Sequence, residues 1–298
     1  MKKLFLLLLF LQCLIFLFGQ NADKRLQKKI EESMQGFNGD IGIYVKVLRT
    51  GKTVSINADT IFPTASIVKV PILLGIMNKI QKGELAYDSV LVYKDSLLYE
   101  GEDILGSFKN DEKILLKKVM MLMLTTSDNT ASLWLQGLAG KGTRINEILD
   151  SLGLVYTRVN SRTPGRENNR TQYGWGQTTP REMGTIFEKI YRNEIFSTAA
   201  CDRMMRSLGR NYWDLNEAIS QIPPYIEVFS KNGCVDACRS EVLLVNAPHN
   251  PYIFCIFTKN NKDTQWTHDN EGWTMARKIS LMLWRYFEPK DKWEPPPK

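Results

Sequence analysis

Apolar and polar residues are interleaved in several different ways along this chain, and each way predicts a different element. Residues 24–35 carry widely spaced apolar positions among charges, the mark of an amphipathic helix. Residues 41–48 alternate in the manner of a strand, with Ile43, Val45 and Val47 on one face, and residues 52–56 return as a partner strand across Arg49-Thr50-Gly51. From Pro63 to about Lys82 the apolar positions run nearly all the way round, which predicts a helix buried at the centre of a lobe.

Residues 111–206 read as mostly helical, interrupted by a Gly/Arg/Asn-rich stretch at 161–177. After Pro223-Pro224 the pattern shortens to three strands at 225–230, 241–245 and 252–258. A last helix at 272–287 turns Ala276, Ile279, Met282, Leu283 and Tyr286 to one side. Strands at both ends with helices between them predict an α+β fold, an antiparallel sheet formed by both chain ends with a helical lobe inserted. One unit over 20–298 is expected, with 20–62 and 207–298 in the sheet lobe and 63–206 in the helical lobe. The cleft between the lobes is the place to look for a site.

Composition narrows the picture. Lys2 and Lys3 precede an apolar run over 4–18, broken only by Gln12 and Cys13, so residues 1–19 read as a secretory signal too short to span a membrane. The body is then expected to be monomeric and periplasmic or secreted, with no membrane association after removal of the signal. The net charge of +7 is spread out and forms no basic run, which gives no reason to expect a nucleic-acid partner. Cys201, Cys234, Cys238 and Cys255 follow the signal, and the spacing of Cys234 and Cys238 allows a bridge across a tight hairpin. The two histidines, His249 and His268, lie in no cluster with metal-ligand spacing, so neither a metal nor a cofactor is expected.

Three short clusters carry the candidate chemistry. Ser66 opens the buried helix, where its N–H is one of the unpaired donors of a helix start, and Lys69 lies one turn on along the same face. A neutral lysine there can take the serine's proton and make Ser66 a nucleophile. Ser127-Asp128-Asn129 joins two helical stretches: Ser127 can protonate a leaving nitrogen, Asn129 can grip an amide, and Asp128 is suited to capping the following helix. Lys231-Asn232-Gly233-Cys234 continues a strand, where a cation can hold a carboxylate, Gly233 can let a substrate backbone approach, and the Cys234 N–H can join that of Ser66 around an oxyanion. Taken one at a time, a snorkelling lysine, a helix cap and a turn would explain each cluster.

Taken together, Phe62-x-x-Ala65-Ser66-x-x-Lys69, Ser127-Asp128-Asn129, Thr178-Thr179-Pro180-Arg181-Glu182-Met183 and Lys231-x-Gly233 resemble the class A serine β-lactamases, within the wider group of penicillin-recognising enzymes. The resemblance covers nearly all of the chain after the signal. It implies a β-lactamase/transpeptidase-like fold and acylation of Ser66 by a small molecule, a β-lactam or a D-alanyl peptide, without a cofactor. Hydrolysis of β-lactams is the activity it implies. A D-alanyl-D-alanine carboxypeptidase, an amidase or esterase, and a slow-turnover penicillin- or peptidoglycan-binding protein are the alternatives on the same scaffold.

The chain departs from the family pattern in two places. The loop that carries the family's deacylating acid offers only Glu167, one helical turn late, with Thr163 in the acid's place. Glu167 is the candidate base for deacylation, and a salt bridge to Arg162, Arg166 or Arg170 is its alternative use. In the third cluster Asn232 stands where a hydroxyl is usual, and Arg239 at the start of the next strand is a candidate fork for a substrate carboxylate.

Overall fold

The computed structural model describes residues 22–101 and 103–296, so the expected signal over 1–19 lies outside the described residues. Among the described residues no helix is long and apolar enough to cross a membrane. Helix α1 (Lys24–Ser33) is capped by Asp23, whose side chain accepts from the Leu26 N–H at 3.0 Å. Strands β1 (Asp40–Val47) and β2 (Thr53–Ile56) form the expected hairpin, with Val45 opposite Val54.

The other strands of this sheet come from the far end of the chain: β3 (Val228–Val235), β4 (Cys238–Val245) and β5 (Tyr252–Lys259). The sheet is antiparallel in the order β2-β1-β5-β4-β3, with Val45 opposite Phe254 and Lys231 opposite Val242. Strand periodicity of two divides its side chains between two cores. Ile253, Cys255 and Phe257 of β5 face the helical lobe, whereas Tyr252, Phe254 and Ile256 face α1 and the last helix, α9 (Glu271–Phe287). Each such fully buried apolar side chain contributes about 1.5–3 kcal/mol over an exposed one.

The inserted lobe contains α2 (Lys69–Gln81), α3 (Leu116–Thr125), α4 (Asn129–Leu138), α5 (Lys141–Ser151), α6 (Glu167–Tyr173), α7 (Pro180–Tyr191) and α8 (Thr198–Leu208). Helix α2 is buried on all sides over its first nine residues, as its apolar pattern requires. Helix α7 lies directly on the sheet: a Cβ at Gly184 would stand 2.7 Å from the Tyr44 ring, so only glycine permits this approach.

The structure departs from the sequence reading in two regions. The segment expected as one helix from Pro63 begins instead with a two-residue strand, Phe62–Pro63, and a 3-10 turn, Ala65–Val68. Ala65 takes a left-handed φ of 43°, and Pro71 falls in the first turn of α2, where its missing N–H breaks no helical bond. Strand β3 carries Lys231-Asn232-Gly233-Cys234 in its ladder as expected, but it begins at Val228 and not 225, and β4 begins at Cys238 and not 241, with the turn at Asp236-Ala237.

Candidate active site

Ser66 sits on the 3-10 turn, and the turn is fixed from two sides. On one side the Thr64 N–H donates to the Gly176 carbonyl at 3.0 Å, tying the turn to a small sheet built from Phe62–Pro63, Gly176–Thr178 and Arg158–Val159. On the other side lies β3, the end strand of the main sheet. A Cβ at Gly233 would come within 2.4 Å of the Thr64 carbonyl oxygen and 3.0 Å of the Ser66 nitrogen. Gly233 therefore lets the protein's own turn approach the strand closely, and it still lines the cleft.

Lys69, fully buried, stands at the meeting point of the first two clusters. Its Nζ lies 3.1 Å from Ser66 Oγ, 2.9 Å from Ser127 Oγ and 2.9 Å from Asn129 Oδ1, and it also bonds the Ser127 carbonyl oxygen. Two of these four oxygens can only accept. A neutral amine has two N–H bonds for them and a lone pair for a serine hydroxyl, so the arrangement suits a base beside a nucleophile. Ser127 itself adopts φ 60°, a left-handed conformation that the Lys69 bond to its carbonyl helps to hold. Asp128 caps α4 through the Ala131 N–H at 2.7 Å and accepts from Ile104 and Leu105 as well, fixing the loop that flanks the cleft.

The third cluster is wired inward. Lys231 is buried, and burial pulls its ammonium down to about 8; Nζ donates to the Asn232 carbonyl at 3.0 Å and to Asn232 Oδ1 at 2.9 Å. Asn232 Nδ2 in turn donates to Glu217 Oε1 at 3.0 Å, and Cys234 Sγ approaches the same oxygen at 3.6 Å. Burial pushes Glu217 up to about 7 and the Cys234 thiol well above its usual range. Arg239, opposite Cys234, has its main-chain N–H and carbonyl bonded to the Thr258 hydroxyl on β5, so the antiparallel alternation turns the Cys234 N–H outward, away from β4. This is the direction an oxyanion donor needs.

Ser66, Ser127, Asn129, Glu217, Asn232, Gly233 and Cys234 line one cleft of about 430 Å³, together with Trp213, Asn216, Trp266 and Trp273. Two site residues expected from the sequence are placed elsewhere. Arg239 is no fork for a substrate: it is 2 % exposed, its guanidinium donates to the carbonyls of Val235, Asp236, Cys238 and Gln265, and it is stacked between Trp266 and Trp273 at 4.4 and 4.7 Å. Glu167 is exposed at the start of α6, accepts from the Gly165 N–H at 3.1 Å, and faces a separate cavity of about 580 Å³ with Lys141, Arg162 and Arg170. The structure does not bring its carboxylate together with Ser66. Thr163, in the acid's place, is buried and bonded to the Val159 and Ser161 carbonyls.

Glu217 and the three tryptophans escaped the sequence reading. No spacing marks Glu217, which reaches the cleft from a loop rather than from a repeating element, and an indole gives no signal of which cavity it will line. Cys234 and Cys238 are unbridged, because Cys238 stands opposite Val235 and so points to the other face of the hairpin from Cys234. Among the described residues no group of three His, Cys, Asp or Glu side chains is arranged to hold a metal ion.

A family model described as the β-lactamase enzyme family matches residues 25–287. The chain belongs to that family. It is 23 % identical to the β-lactamase VEB-1 of Pseudomonas aeruginosa, over 96 % of this chain and 98 % of that protein, and 22 % identical to a β-lactamase of Bacteroides uniformis over 95 % and 99 %. Among solved structures, PBP-A superimposes with a TM-score of 0.79 at 24 % identity, covering 90 % of this chain and 97 % of that one. The TLA-1 extended-spectrum β-lactamase gives 0.79 at 17 %, covering 88 % and 98 %. The fold of this family member is thus the β-lactamase/transpeptidase-like α+β fold expected from the four motifs.

Proposed function

We propose that this β-lactamase-family protein is an exported, monomeric serine hydrolase that opens β-lactam amide bonds through an acyl-enzyme on Ser66. The observation that carries the reading is the single amine of Lys69, shared between Ser66 Oγ and Ser127 Oγ. Lys69 takes the Ser66 proton as Oγ attacks the lactam carbonyl. The N–H groups of Ser66 and Cys234 face the developing oxyanion, and Ser127 passes a proton to the departing nitrogen as the C–N bond breaks. Water then hydrolyses the ester and restores Ser66. The charged and apolar start of the chain supports export.

The placement of Glu167 favours one refinement. With its carboxylate on the outer cavity, the ester has no loop acid to activate its water, and loss of a positioned base slows such a step by roughly 10²–10⁴-fold. A long-lived β-lactam adduct follows, with D-alanyl-D-alanine peptide hydrolysis as the second reading of the same machinery. Intact mass measured during incubation with a chromogenic cephalosporin tests the scheme. The expected result is a covalent adduct that accumulates faster than colour is released in later turnovers, and that Ser66→Ala abolishes. No adduct and no colour, with penicillins and cephalosporins alike, would overturn it; release of D-alanine from a D-alanyl-D-alanine peptide would establish the second reading.

A further inference from the structure

The cleft contains a buried acid that the acylation scheme does not use. Glu217 is 3 % exposed and lines the same cavity as Ser66, on the side where Lys231 and Asn232 would receive an anionic group of the substrate. Those two residues already have partners: Lys231 Nζ donates to both Asn232 oxygens, and the Asn232 amide donates to Glu217 Oε1.

We propose that Glu217 is a specificity-determining residue: its carboxylate holds the amide of Asn232, a residue whose two oxygens in turn hold the Lys231 ammonium, so the ionised cleft prefers an acyl donor bearing a neutral amide or an amine there. This deepens the hydrolase reading and rests on it for the identity of the reacting bond. A second anion beside Glu217 would meet like charge within the same cleft.

The charged surroundings decide when the exclusion operates. Facing Glu217 are Lys231 and the Cys234 thiol from β3, Glu241 from β4, Asp214 from its own segment, and Arg277 from α9. Glu241 is itself pushed well up by burial and accepts from the Ala218 and Ile219 N–H groups, holding the loop that presents Glu217. Burial raises Glu217 to about 7, so it is protonated and tolerant of an anion below that value and ionised above it. Lys231, pulled down to about 8, loses its charge at higher pH and would weaken an anion's binding in the same direction. A variant of Glu217 separates the two contributions.

Binding of an N-acylated D-alanyl-D-alanine and of its C-terminal amide to the Ser66→Ala protein, by calorimetry at about pH 6 and about pH 8, tests the proposal. The acid is expected to lose roughly tenfold in affinity between the two values while the amide does not change. Glu217→Gln, which keeps an acceptor for Asn232, should remove most of that loss and strengthen acid binding at the higher pH. An acid-to-amide ratio that stays constant with pH, or that Glu217→Gln leaves unaltered in a protein whose unfolding remains cooperative, would overturn the proposal. So would the failure of both ligands to bind. Failure of the hydrolase reading shows separately, as the absence of any adduct on Ser66 in the unsubstituted protein.

Discussion

At the scale of single residues, the cleft concentrates groups that titrate away from their ordinary values, and this has a consequence for stability. Burial holds Glu217 at about 7 instead of 4.5 and Asp214 at about 6 instead of 3.8. In each case the folded chain keeps a proton over a range where the unfolded chain has released it. The stability these groups confer is therefore complete below the unfolded values and is lost as pH rises through about 6 to 7. The thermal unfolding midpoint is expected to fall between about pH 5 and pH 8, and Glu217→Gln should flatten part of that fall. A midpoint that climbs across the whole window would contradict the assignment. These residues also mark what the sequence could convey. Ser66 and Lys69 were legible because three residues on one helical face bring them together whatever the rest of the chain does. Glu217 was not, since it reaches Asn232 only once a loop has folded back on the face of β3. Arg239 read as a fork for a substrate carboxylate, because nothing in its neighbours showed that two distant indoles would enclose it.

At the scale of elements, the decisive contact is between β3 and the turn that carries Ser66. The alternation of 41–48 and the all-round apolar pattern of 63–82 revealed a hairpin and a central helix, because burial on one face or on all faces leaves a period in the residues. Two-residue strands and the 3-10 turn leave none: Phe62–Pro63 is held by pairing with Thr178 and Gln177, more than a hundred residues away. The start of β4 at Cys238, three residues before the expected 241, was hidden for the same reason, as it depends on cross-strand partners. The closeness of this contact makes Gly233→Ala a sharp test. The added methyl would collide with the Thr64 carbonyl, an overpacking that costs about 1–3 kcal/mol and displaces the turn. Denaturant unfolding should show the lost stability, and adduct formation with a β-lactam should slow alongside it. Normal values for both would mean that β3 and the turn yield more easily than their spacing indicates.

At the scale of the whole molecule, the sheet is assembled from both chain ends, so neither end can be spared. Strand β1 pairs with β5, while α1 and α9 share one core with Val45, Phe254 and Leu243. A chain stopped before Glu271 would uncover that face and lose Ile279, Leu283, Trp284 and Phe287 from its packing. It should show no cooperative thermal transition by circular dichroism; a sharp transition would mean that the helical lobe and the bare sheet can stand alone. The sheet's own boundary has a last consequence. Strand β3 ends the ladder, and an uncovered terminal strand is a template on which other chains can aggregate. Here Gly209, just past the end of α8, bridges Phe229 on that strand's outer side, while the turn bearing Ser66 packs on its face at Gly233. The segment that leaves α8 is thus a guard against self-association, so a mutation that loosens it would threaten solubility as well as the strand that carries Lys231.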